Sequence, residues 1–103
     1  MIKEEFYKTI RINKNEYGLE KALGYKVNYT DYTGARITLF FEKVNDYWNI
    51  TEYETGASVG CCYDTLKQAK EQAEKRIDII RNNWNNETTK MARKIKFDLL
   101  CKC

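Results

Sequence analysis

A chain of 103 residues has room for one hydrophobic core and not for two. Hydrophobic residues make up 43% and charged residues 32%, as in ordinary globular domains. The longest apolar run, Leu39-Phe40-Phe41, is far shorter than the ~20 residues that cross a bilayer. The formal charge of +3 is mild, and neither histidine nor proline occurs, which removes imidazole acid–base chemistry, histidine metal ligation and proline-rich linkers.

The charge divides unevenly. Residues 1–64 hold eight basic and ten acidic side chains, a balance of −2, and residues 65–103 hold ten basic and five acidic, a balance of +5. Met1-Ile2-Lys3-Glu4-Glu5 is too acidic for a secretory or transit leader, so the expected location is the cytoplasm in which the chain is made.

Residues 1–13 alternate Phe6, Lys8, Ile10 and Ile12 with Tyr7, Thr9 and Arg11, which predicts a strand. Asn15 is a candidate cap for a short helix to Leu23, stopped by Gly24. Tyr25 to Thr30 alternates again, Asp31-Tyr32-Thr33-Gly34 supplies a turn, and Arg36 to Val44 returns as the second arm of a hairpin. Asn45-Asp46 turns into an aromatic, β-branched strand, Tyr47–Tyr53, and Ser58–Tyr63 makes a last short strand with Gly60 as a candidate bulge. Such short connections favour an antiparallel meander.

Thr65 caps the best-defined element, with Gln68 three residues on as in a capping box. Leu66, Ala69, Ala73, Ile77, Ile80 and Trp84 then recur at steps of three or four, which predicts a long amphipathic helix over 65–84. Its outer side carries Lys67, Lys70, Glu71, Glu74, Lys75 and Arg81. Residues 88–103 read as a helix or a strand: Met91, Ile95, Leu99 and Cys103 lie four apart behind a cap at Thr88 or Thr89, whereas Ile95, Phe97 and Leu99 alternate. The helix is preferred on propensity. The predicted fold is a single α+β domain: an antiparallel sheet of three to five strands on a long helix, with a second, C-terminal helix.

Catalytic and metal constellations are sparse, and no cofactor is expected. The cysteines form two tight pairs, Cys61-Cys62 and Cys101-Lys102-Cys103. Neighbours on a strand point to opposite faces, which opposes a shared tetrahedral metal at residues 61 and 62. A metal module would need the tail to pack beside them, so free thiols are the favoured reading. The helix N-terminus that follows is a candidate for lowering the pKa of Cys61 or Cys62. Glu42, Asp46, Glu52, Glu54 and Asp64 show no pattern that forces two carboxylates to the ~5 Å of paired acid–base work. Single scattered glycines make no phosphate loop. These observations point to a binder and away from an enzyme.

If Val27, Ile37, Leu39, Phe41, Trp48, Ile50, Val59 and Cys61 face the long helix, period two turns Lys26, Asn28, Thr30, Tyr32, Arg36, Thr38, Phe40, Tyr47, Asn49, Thr51 and Tyr53 outward. Aromatic side chains among cations and amides can stack on bases or bury in a protein partner. Alternatively, the tail or the N-terminal strand covers this face as a second core layer. The candidate partner face is Tyr32, Arg36, Phe40, Tyr47 and Tyr53 with the acidic strand ends Glu42, Glu52 and Glu54. The candidate nucleic-acid contacts are Lys26, Arg36, Lys67 and Lys70.

From Tyr25 to Ile77 the chain reads Tyr-Lys-Val-Asn-Tyr-Thr-Asp-Tyr-Thr-Gly-Ala-Arg, two further strands, then Thr65-Leu66-Lys67-Gln68-Ala69-Lys70-Glu71-Gln72-Ala73. This resembles two β3α modules. One is the double-stranded RNA-binding domain, whose last helix opens with a Ser-Lys-Lys-x-Ala-Lys-type motif over phosphates. The other is the arm-binding domain of phage and transposon integrases, with an Asp-x-x-Gly-Lys/Arg-type hairpin before a Thr-Lys-Lys-x-Ala-type helix. The resemblance to the double-stranded RNA-binding domain implies phosphate contacts by Lys67 and Lys70, with Leu66 standing where that family has a third lysine. In composition the Lys-, Asn-, Tyr- and Ile-rich, proline-free chain resembles accessory proteins of bacteriophages and mobile elements, including anti-CRISPR inhibitors. That resemblance implies stoichiometric binding to a host protein or nucleoprotein complex, with nucleic acid as the alternative ligand and the oligomeric state left open.

Overall fold

A computed structural model describes residues 2–101. Five strands, β1 (Lys3–Asn13), β2 (Glu16–Thr30), β3 (Arg36–Val44), β4 (Tyr47–Glu52) and β5 (Ser58–Tyr63), precede two helices, α1 (Leu66–Asn82) and α2 (Glu87–Cys101). The sheet is an antiparallel meander in the order β1-β2-β3-β4-β5. Asn45 and Asp46, at φ 51° and 70°, form the two-residue turn between β3 and β4, since this residue type tolerates the left-handed conformation that tight hairpins require.

The short helix expected from Asn15 to Leu23 does not form; these residues belong to the β1–β2 hairpin. Leu19, Glu20, Lys21, Ala22 and Leu23 have good helix propensity, but β1 offers a complete ladder, with Thr9 opposite Leu19 and Phe6 opposite Ala22. Pairing along a whole strand outweighs a weak local preference. The Asn13 side chain accepts from the Asn15 amide at 3.0 Å and builds a turn where a helix cap was expected. Gly24 is a point of close approach and not a helix stop: a Cβ there would lie 2.7 Å from the Phe41 carbonyl oxygen.

On one face, Ile37, Leu39 and Phe41 of β3 and Ile50 of β4 are buried against Ala69, Ala73 and Ile77 of α1. The two alanines let the helix sit close to the large strand residues. Val27, Trp48 and Val59 pack beside this core as the alternation predicts. Cys61 does not; it is exposed, and Tyr63 packs against the cluster. The cause is irregular β4–β5 pairing, with register shifts around Ile50 and a left-handed Cys62 at φ 67°. Thr65 caps α1, its hydroxyl accepting from the Gln68 amide at 3.0 Å, and the Gln68 side chain accepts from the Asp64 amide at 3.1 Å. The helix ends at Asn82, so Trp84 lies beyond it, its ring between the guanidinium groups of Arg81 and Arg93 at 4.9 and 4.5 Å.

The other face is covered by β1. Phe6 stacks on Phe40 with ring centroids 4.5 Å apart, Lys8 pairs with Glu42 at 3.0 Å, and the Thr9 amide donates to the Gly56 carbonyl at 2.9 Å. Of the two readings of this face, the second core layer holds for Phe40 and Thr51, which are 3% and 4% exposed. The Ile95–Leu99 ambiguity resolves as helix. The side chain that caps α2 is Asn86, accepting from the Thr89 amide at 2.8 Å, and not Thr88 or Thr89. Among the described residues of α2 only Lys96 is buried; Met91, expected on its inner stripe, is exposed. Cys103, the last member of that stripe, lies outside the described residues.

Candidate functional site

The site is a groove of about 550 Å³ formed where β1 crosses the sheet. Its walls carry Lys26, Arg36, Tyr53 and Glu54 from the predicted set, with Glu4 and Glu5 from β1. Period two on β2 and β3 puts Lys26 and Arg36 on the side opposite α1, and the β4–β5 turn presents Tyr53 and Glu54.

Phe40 and Glu52 also border the groove but are not available as partner contacts. Phe40 is sandwiched between Phe6 and the ring of Tyr53, the latter centred 6.1 Å away. Glu52 is 1% exposed and organises the turn, its two carboxylate oxygens accepting from the amides of Glu54 at 2.7 Å and Thr55 at 2.8 Å. Burial pushes its carboxyl up, and those hydrogen bonds offset only part of the shift. A carboxylate at a strand end reads in sequence as solvated, yet here it replaces the backbone partners that a sharp turn removes.

Five more predicted residues stand apart from the groove. Tyr32 is exposed, but its hydroxyl donates to Asn82 Oδ1 at 2.7 Å and its amide to Asp78 Oδ1 at 3.2 Å, fastening the β2–β3 turn to α1. Arg81 ion-pairs with Asp31 at the same junction. Burial would raise the Asp31 carboxyl, but hydrogen bonds from Thr33, Arg81 and Ala35 prevail and hold it at about 2. Tyr47 opens β4 beside Val44, at the opposite end of β3 from Arg36. Lys67 and Lys70 lie in the first turns of α1, about 16–21 Å along the helix axis from Arg81. The four candidate phosphate contacts are therefore not on one surface. Glu42 is engaged by Lys8.

Sequence reasoning missed the contribution of α2. Arg93, Lys96, Phe97 and Leu100 meet Tyr53 and Glu54 around a hollow of about 270 Å³. Phe97 is 66% and Tyr53 47% exposed. Lys96 is 4% exposed; its ammonium donates to the Tyr53 carbonyl and lies 4.3 Å from the centre of that ring. Burial lowers its pKa, against the pull of Glu52 and Glu54. The signal was present in sequence: Arg93, Phe97 and Leu100 fall at i, i+4 and i+7, a second helical stripe beside Met91, Ile95 and Leu99.

Cys61, Cys62 and Cys101 are free, exposed thiols, and among the described residues no three side chains of His, Cys, Asp or Glu gather as a metal site. The expected lowering of a thiol by the start of α1 is not found at Cys62. Its hydrogen bond to Cys61, with the charge of that neighbour, pushes the Cys62 thiol up. Among the described residues no helix is long and apolar enough to cross a membrane. No protein-family model matches the chain, and no curated protein or solved structure matches it. The arrangement offers stacking, apolar burial and ion pairing around one half-exposed tyrosine.

Proposed function

We propose that the chain is a non-enzymatic accessory protein that binds stoichiometrically to a host nucleic-acid-processing protein, in the manner of an anti-CRISPR inhibitor. The observation that carries this reading is the position of Tyr53. It stands where the charged groove of Lys26, Arg36 and Glu54 meets the exposed apolar side chains Phe97 and Leu100 of α2. Protein interfaces concentrate their energy in such aromatic and arginine anchors with a polar rim. Glu4, Glu5 and Glu54 outnumber the cations of the groove, which favours a basic partner surface of the kind that nucleic-acid-processing proteins present.

The test is affinity capture from a bacterial host lysate with the full chain and with Tyr53→Ala and Phe97→Glu. A partner recovered near one-to-one by the wild type and lost with both variants supports the reading. No near-stoichiometric partner, or equal recovery by the variants, overturns it. One observation favours a second reading, a nucleic-acid-binding module: Lys26 and Arg36 share the groove with the exposed ring of Tyr53. A mobility shift with duplex and single-stranded probes that weakens as salt rises would support it, and no shift at low salt would exclude it.

A further inference from the structure

Alternation along a strand separates the side chains of neighbouring residues, and one residue breaks it at the end of β5. Cys62 occupies the left-handed region at φ 67°, where a side chain crowds the backbone and few residues other than glycine settle. The conformation has visible support. The Cys62 amide donates to the Asn49 side chain at 3.1 Å, and the β4–β5 register has already slipped beside it. Both thiols end up exposed, on neighbouring residues where the alternation that would separate them is broken.

This geometry selects a ligand class. A tetrahedral ion such as zinc needs four donors, and no third His, Cys, Asp or Glu joins the pair among the described residues. A disulfide needs Cα atoms roughly 4.4–6.8 Å apart, and consecutive residues joined by a trans peptide hold theirs at about 3.8 Å. A single soft atom with bonds to sulfur of about 2.3 Å can bridge the thiols of two neighbouring residues without closing a sulfur–sulfur bond, and soft centres prefer thiolates. We propose that Cys61 and Cys62 form a vicinal dithiol site that chelates one thiophilic centre satisfied by two sulfurs, of the class of monosubstituted trivalent arsenicals. In the binding step the As=O bond of an arsenoso group breaks and two As–S bonds form. Both thiol protons leave with the oxygen as water, and arsenic stays trivalent, so the step needs neither oxidant nor reductant.

The probe is phenylarsine oxide, read by intact-mass spectrometry. Because Cys101 and Cys103 offer a second thiol pair in the sequence, the full-length chain carries Cys101→Ser and Cys103→Ser. One equivalent is expected, resistant to excess glutathione and released by dithiothreitol. Adding Cys61→Ser or Cys62→Ser should abolish the resistant adduct while the circular dichroism spectrum stays unchanged, since both side chains are exposed. No adduct, an adduct removed by glutathione, or a resistant adduct that survives loss of either cysteine would overturn the proposal.

Discussion

Replacing Phe6 by alanine tests whether β1 is a structural layer or a detachable arm. Phe6 and Phe40 are each 3% exposed, and their rings stack at 4.5 Å. Truncating a buried phenylalanine costs about 3–5 kcal/mol, a large share of the roughly 5–15 kcal/mol that stabilises a small domain. With a urea slope of about 1.5 kcal/mol/M, the midpoint should fall by about 2–3 M. Phe40→Ala should cost at least as much, because it also uncovers the ring of Tyr53, 6.1 Å away. In a double-mutant cycle the pair should couple by about 0.5–1.5 kcal/mol. Ile2→Ala is the control, at a residue 85% exposed, and should stay within about 0.5 kcal/mol of the wild type. The measurement is equilibrium urea unfolding followed by circular dichroism and by tryptophan fluorescence. A cost below about 1 kcal/mol for Phe6→Ala, comparable to an ordinary surface substitution, would refute the placement of β1 over the sheet. It would return Phe40 to the partner face.

Further predictions follow from the charged and close-packed positions. Asp31 is held at about 2 against an ordinary 3.8, so its contribution is complete above pH 3.8 and is lost as pH falls toward 2. The stability gap between wild type and Asp31→Asn should therefore narrow over that window in acid-unfolding curves. Glu52 has the opposite sign: its raised pKa makes its ionisation a cost that appears as pH climbs above the ordinary 4.5, so wild-type stability should decline with rising pH there and Glu52→Gln should flatten that decline. Lys96→Ala leaves the Tyr53 carbonyl without its donor and should weaken α2 by about 1–3 kcal/mol, seen as faster amide exchange in α2 with α1 unchanged. Gly24→Ala forces a Cβ to within 2.7 Å of the Phe41 oxygen, and the backbone shift it requires should cost about 1–3 kcal/mol in the same urea assay.

The elements that were legible in sequence are those whose local signals agree with their surroundings. Arg36–Val44, with tight turns on both sides, and the Thr65 cap with its apolar stripe each specify an element without knowledge of the rest of the chain. Residues 15–23 were misread because helix propensity is local, whereas the competing ladder is offered by β1, whose own alternation had already marked it as a strand. Glu52 lies on the other phase, opposite Leu39, and its carboxylate is turned to the amides of its own turn, which no alternation pattern records. Phe40 is misread for a related reason. Period two divides a strand into two faces but does not say whether another segment lies over the second, and the crossing of β1 buries that face. The groove residues Lys26, Arg36, Tyr53 and Glu54 were legible because they lie on the phase and turn that β1 leaves open. Phe97 and Leu100 are less legible, because Met91, Ile95 and Leu99 form the stronger helical stripe and theirs is the stripe left over.

The opposite charges of the two halves of the chain do not become opposite sides of the molecule. Asp31 from the first half holds Arg81 from the second, and Glu42 is taken up by Lys8 within the sheet. Lys96 from the basic half enters the acidic one, reaching the Tyr53 carbonyl between Glu52 and Glu54. The surface that remains around Tyr53 is mixed in charge and apolar at its centre, which suits protein recognition better than uniform attraction to a polyanion. Its two walls depend on each other: the ammonium that seats α2 lies under the same tyrosine that faces the groove. A partner gripping Phe97 and Tyr53 together would bind across this attachment and hold α2 against the sheet. Bound and unbound chains should then differ most in the protection of α2, which has one buried residue among those described against three in α1 and so less packing to lose.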